Sequence, residues 1–126
     1  MNMRTPLKTA RNLGSAKEGA DHFWKQRVTG VANLVLGLFL VWLIASLIGA
    51  DHAAVKAKLA NPIIAMALLA LVVSGTIHMR LGMQTIIEDY VHGEGAKIVC
   101  LMLNTFFACA IALACTFAVM KLSFGA

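Results

Sequence analysis

The sequence predicts an all-α membrane protein of three transmembrane helices, with its N-terminus inside and its C-terminus outside. Three observations lead there. Hydrophobic residues make up 60% of the 126 and charged residues 13%; the apolar residues gather in three long uncharged runs; and basic residues crowd before the first of these. A soluble domain of this size leaves a large share of its area in water and cannot hide so much apolar surface. Lipid must cover the remainder.

In chain order, residues 1–27 read as a basic arm, in which Gly14 and Gly19 discourage a long rigid helix. The segment Asp21-His22-Phe23-Trp24-Lys25 reads as interfacial, with Trp24 at headgroup level. Residues 28–126 form the membrane domain, with spans expected at about 28–50, 62–87 and 98–120. Each approaches or exceeds the roughly 20 residues that cross a ~30 Å hydrocarbon core. Asp51-His52 ends the first span, and Asn61-Pro62 opens the second as an N-cap followed by proline at the first helical position. Gly93 and Gly95 break the second helix before Lys97. No internal repeat is visible.

Basic residues set the orientation. Arg4, Lys8, Arg11, Lys17, Lys25 and Arg27 precede the first span, whereas the loop after it carries only Lys56 and Lys58. The positive-inside rule places the arm in the cytoplasm or matrix and the 88–97 turn back on that side. The net charge of +5 comes mainly from the arm, and with no nucleic-acid motif or basic-aromatic alternation it reads as topology and protein docking. No secretory signal is expected, since the first apolar run starts late and is too long for one. Glu18 favours a bacterial cytoplasmic membrane over a mitochondrial inner membrane. Cys100, Cys109 and Cys115 show neither zinc nor iron-sulphur spacing and read as buried free thiols.

His78 is the first functional candidate, because an ionisable side chain inside a span costs a few kcal/mol, about 2.5–3.5 on the lenient scales, and usually has a ligand, a partner or a proton to handle. At about 100° per residue, Ser74, Gly75, His78, Gly82, Thr85 and Asp89 share one side of the second helix, and Arg80 points the opposite way. Small residues there leave room beside His78 for a flat bulky group or for another helix backbone. The first span offers a matching face of Arg27, Gly30, Leu34 and Gly37, with Asn33 close by. Arg27 emerges on the inner side, as a partner for a carboxylate or as a headgroup anchor. The third span's stripe of Asn104, Ala108, Ala112 and Cys115 reads as helix packing.

A lone membrane histidine serves as a metal ligand, a haem ligand, a proton relay or a packing group. Zinc or copper would want further ligands at helix spacing, and none stands on this face within two turns. Haem needs only one or two axial imidazoles, which a partner can complete. Asp89 and Tyr90 lie about 16–18 Å further along the helix, at the inner interface. There a phenol beside a carboxylate suits a quinone carbonyl and its protons, and equally suits an aromatic belt.

The spacing from His78 through Gly82 to Asp89-Tyr90, the Arg27-Val28-Thr29 entry into the first span, and the wording Arg80-Leu81-Gly82 and Ile87-Glu88-Asp89-Tyr90-Val91 resemble the hydrophobic membrane anchor of succinate dehydrogenase. This is the smaller cytochrome b subunit of respiratory complex II, in its alphaproteobacterial and mitochondrial form. The resemblance implies that His78 is an axial ligand to haem b, and hence to its iron, opposite a histidine of the larger cytochrome b anchor subunit. It implies Arg27 beside a haem propionate, and Tyr90 hydrogen-bonded to ubiquinone with Asp89 next to it. FAD and iron-sulphur clusters would belong to a flavoprotein subunit and an iron-sulphur subunit. The implied activity is succinate to ubiquinone electron transfer, in the tricarboxylic acid cycle and respiratory electron transport, with the chain inactive alone. The rival readings are a small proton-coupled transporter subunit, with His78 and Asp89 as a relay, and a cofactor-free structural anchor.

Overall fold

The computed structural model describes residues 5–10 and 18–125, with backbone alone at 8 and 9. These residues form five helices: α1 (Pro6–Ala10), α2 (Gly19–Ala45), α3 (His52–Leu59), α4 (Pro62–Tyr90) and α5 (Glu94–Phe124). Most of the basic arm, with Gly14, lies outside the described residues. Helices α2, α4 and α5 are each long and apolar enough to cross a membrane. At 27, 29 and 31 residues they run about 40–46 Å at 1.5 Å per residue, longer than the hydrocarbon core, so their ends reach the interface or the helices tilt.

Helix α2 starts at Gly19, so the stretch assigned to a loose arm is helical from there on. One exposed glycine costs a helix only about 1 kcal/mol, and the residues that follow it supply enough favourable turns to offset that. At the other end α2 stops at Ala45, although its apolar run continues to Ala50. The Ser46 hydroxyl donates to the Leu43 carbonyl, and Gly49 turns the chain with φ 78°. Hydropathy reports what a segment can bury and is blind to this side-chain competition for the backbone.

The connection between α2 and α4 holds a short helix that the sequence reading left as loop. Asp51, read as the end of the first span, is the N-cap of α3, its carboxylate accepting from Ala54 N at 2.8 Å. Asn61 caps α4 as expected, accepting from Ile63 N at 2.9 Å ahead of Pro62. Gly93 is the N-cap of α5, whereas Gly95 is already inside that helix. Lysine and hydroxyl contacts fasten α3 to its surroundings. Lys58 Nζ donates to Ser46 Oγ at 2.7 Å, and Ser123 Oγ donates to the Leu59 carbonyl at 3.2 Å.

Helix α4 is the middle of a row. It packs against both α2 and α5, while α2 and α5 do not meet among the described residues. The two sides of α4 carry different polar groups, as the helical wheel requires. His78 faces α2, and Arg80 faces α5, where Arg80 Nε donates to Thr105 Oγ1 and the Arg80 carbonyl accepts from Asn104 Nδ2 at 2.9 Å. Asn104 and Ala108 are buried there, in keeping with a packing stripe on α5. Lys97 Nζ closes the turn between α4 and α5 on the Glu88 carbonyl. The three cysteines are free thiols, but Cys109 is exposed on the outside of the row and the other two are half-buried.

Candidate functional site: a polar seam between two membrane helices

The seam between α2 and α4 is built by four polar residues of α2 that recur at helical spacing, His22, Gln26, Thr29 and Asn33. Steps of four, three and four keep them within about 60° of arc. Opposite them stand Ser74, His78 and Gly82 of α4. Thr29 Oγ1 lies 3.1 Å from His78 Nδ1, Ser74 Oγ donates to the Thr29 carbonyl at 3.2 Å, and a Cβ on Gly82 would sit 3.3 Å from Gln26 Nε2. The imidazole lies against Gly30 of α2, where an added Cβ would stand 3.4 Å from His78 Cε1. Three polar atoms in the seam, His22 Nε2, Gln26 Oε1 and Asn33 Oδ1, are buried without a partner.

This geometry corrects the expected face of α2. Leu34 is exposed, Gly37 has open space where a Cβ would stand, and Arg27 is exposed. The seam is therefore turned about a quarter of a circle from the stripe of Arg27, Gly30, Leu34 and Gly37, and only Gly30 borders both. The expectation followed small residues. The signal that finds the seam is polar, the 22-26-29-33 series in an otherwise apolar helix.

On α4 the stripe is placed as expected, with one difference between its two glycines. Gly82 meets Gln26, so that side of His78 is filled by α2; a Cβ on Gly75 would meet nothing within 4 Å. Room for a flat group lies on the Gly75 side. His78 Nε2 makes no hydrogen bond among the described residues, its Nδ1 being the nitrogen engaged by Thr29. The donor set fits an axial haem ligand: one imidazole nitrogen held, the other free, open space one turn away. No three His, Cys, Asp or Glu side chains gather into a metal site among the described residues.

Arg27 stands one turn before Gly30, its guanidinium carbon 4.1 Å from the centre of the Phe23 ring. The stack holds it on the surface of α2, away from the Thr29–His78 contact. Asp89 and Tyr90 end α4, both exposed, Tyr90 at 77%. They are not brought into contact with His78. Nearer to them, a cleft of about 520 Å³ opens between the start of α2 and the end of α4, lined by His22, Lys25, Gln84, Thr85 and Glu88 among others. Two further clefts, mainly apolar and each of about 470 Å³, lie on one side of the crossing and share Val28, Thr29 and Ile77.

The family model described as the succinate dehydrogenase/fumarate reductase transmembrane subunit matches residues 1–119. The chain belongs to this family. Among curated proteins it is 31% identical over 126 residues to the succinate dehydrogenase hydrophobic membrane anchor subunit of Paracoccus denitrificans, covering 100% of this chain and 97% of that one. The protein of the same description from Rickettsia bellii is 33% identical over 90 residues, covering 71% of this chain and 72% of its own. The succinate dehydrogenase membrane anchor subunit of Reclinomonas americana is also 33% identical over 90 residues, covering 69% and 75%. No solved structure matches the chain. Family membership and three long apolar helices make this a membrane subunit of an enzyme complex.

Proposed function

We propose that the chain is the membrane anchor subunit of a succinate:ubiquinone oxidoreductase, inserted in a bacterial cytoplasmic membrane with its basic arm on the cytoplasmic side. In this reading His78 is one axial ligand of haem b, through Nε2, and the larger cytochrome b subunit supplies the other. Haem, when bound, supplies a one-electron carrier. FAD and the iron-sulphur clusters are held by the soluble partner subunits, which dock on the side of the basic arm. Arg27, one turn inward of Gly30 on α2, holds a propionate by a charge-assisted pair. At the end of α4 the Tyr90 hydroxyl donates to a ubiquinone carbonyl, and the Asp89 carboxylate beside it accepts and passes on protons.

One observation carries the haem assignment: an imidazole in the middle of a membrane helix with one nitrogen anchored, the other free, and open space one turn away. The test is the visible spectrum of the purified complex together with two variants. His78→Ala removes or shifts the b-type haem bands and lowers haem content, whereas His52→Ala, at the start of α3, leaves both unchanged. A wild-type spectrum and haem stoichiometry in the His78 variant returns the chain to a structural anchor.

A further inference from the structure

The hydroxyl proton of Thr29 is already committed, and that fixes what it can do for His78. Thr29 Oγ1 lies 2.7 Å from the Lys25 carbonyl and 3.2 Å from the Gln26 carbonyl. A threonine hydroxyl has one proton and two acceptor lone pairs. An oxygen-to-oxygen approach of 2.7 Å is the usual length of an O–H···O bond and is repulsive without the proton between the atoms. The proton therefore belongs on the Lys25 carbonyl, the i−4 bond that threonine makes inside helices. Toward His78 Nδ1, at 3.1 Å, the same oxygen can only accept.

We infer that Thr29 is a positioning residue for haem ligation, accepting a hydrogen bond from His78 Nδ1–H and so holding the imidazole in the tautomer whose Nε2 lone pair is free for iron. The inference rests on the reading of His78 as an axial ligand. Ring orientation is held by two neighbours of Thr29 as well. Gly30 gives the ring its bed, and the Ser74 hydroxyl ties the Thr29 carbonyl to α4 one turn from His78. A hydrogen bond accepted from the far nitrogen raises the basicity of a ligating imidazole, and the loss of such outer partners typically weakens metal binding by about ten- to a hundredfold. A more basic imidazole favours ferric over ferrous iron. Losing the acceptor moves the haem potential upward, and each tenfold change in that preference is about 59 mV for a one-electron couple.

The experiment uses the assembled complex with Thr29→Val, which keeps the shape and deletes the hydroxyl, Thr29→Ser, which keeps the hydroxyl, and His78→Ala. The readouts are the haem midpoint potential from a redox titration followed in the visible bands, and haem retained through detergent washing. Thr29→Val is expected to raise the potential and shed haem faster, and Thr29→Ser to return both to near wild type. If Thr29→Val does not assemble, Thr29→Ala, smaller than the native side chain, is judged by the same two readouts. Loss of haem in His78→Ala with an unaltered potential and retention in Thr29→Val overturns the positioning role and leaves the ligand assignment standing. Unaltered haem in His78→Ala overturns both. Equal shifts in Thr29→Ser and Thr29→Val assign the effect to packing and also overturn the inference.

Discussion

Substitution at Gly30 offers a graded measure of how closely the imidazole is bedded against α2. A Cβ there would stand 3.4 Å from His78 Cε1 and 3.9 Å from Nδ1, which is ordinary contact, so Gly30→Ala should be close to neutral. Valine adds two methyl groups beyond that Cβ, in a helix that leaves its χ1 essentially one preferred rotamer, so it has little freedom to turn aside. Overpacking of this kind costs about 1–3 kcal/mol. If the displacement falls on the His78 ring, that is roughly a five- to 150-fold loss in haem affinity. The assay is haem per complex, with its visible spectrum, across a detergent titration of the wild type, Gly30→Ala and Gly30→Val. The expected order is wild type near alanine and well above valine. A valine variant that keeps wild-type haem content and spectrum through the titration would refute the claim that the ring rests on this glycine.

Tyr90→Phe should lower succinate-to-quinone turnover while sparing succinate oxidation by an artificial acceptor that draws electrons from the soluble subunits; one lost hydrogen bond of about 1–3 kcal/mol is roughly five- to 150-fold. Asp89→Asn should act in the same direction, and normal quinone reduction in an assembled Tyr90→Phe complex would return that residue to the aromatic belt. Arg27→Ala should weaken haem retention or move its potential more than Lys17→Ala in the same basic arm, and equal, negligible effects would make Arg27 a headgroup anchor. Asn104→Ala removes the bond from Nδ2 to the Arg80 carbonyl and should destabilise the α4–α5 pair by about 0.6–2 kcal/mol, read as a lower Tm of the complex. An unchanged Tm would show that the bond contributes nothing net in the membrane.

The spans were legible because lipid demands long uncharged runs, and Asn61-Pro62 marked the start of α4 because its capping is local chemistry. The end of α2 was not legible. Apolarity continues five residues beyond Ala45, and the stop depends on the Ser46 hydroxyl reaching the Leu43 carbonyl and on a positive φ at Gly49. Helix α3 was hidden for a related reason: it is short, has no buried residue and depends on the Asp51 cap and on Lys58 and Ser123 contacts. At the site, His78 announced itself by being ionisable in an apolar helix. Its partner did not, because Thr29 is cheap in a membrane helix, where its hydroxyl satisfies itself on the preceding turn. Only the spacing of His22, Gln26, Thr29 and Asn33 taken together marks the face that α4 covers.

The row arrangement bears on where a second axial ligand can come from. Helix α5 lies on the far side of α4 from His78, and α2 and α5 do not touch, so among the described residues no third helix closes over the seam. The remaining histidines are His22, His52 and His92. His22 is seven residues before Thr29 on the same helix, about 10 Å along its axis, and His92 lies two residues beyond the end of α4 at Tyr90, itself about 18 Å along the axis from His78. His52 begins α3 at the opposite end of the row. A second imidazole for the same haem would have to lie at the depth of His78, and none of these three stands there. An axial pair that includes His78 therefore needs a histidine from another chain, presented by a helix lying along the open flank of α4. The same helix would cover exposed apolar surface on the Gly75 side of α4, such as Ile86, eleven residues on at nearly the same angle. In the proposed reading one contact would complete the haem site and bury lipid-facing surface, so haem occupancy and assembly with the partner anchor are expected to be interdependent.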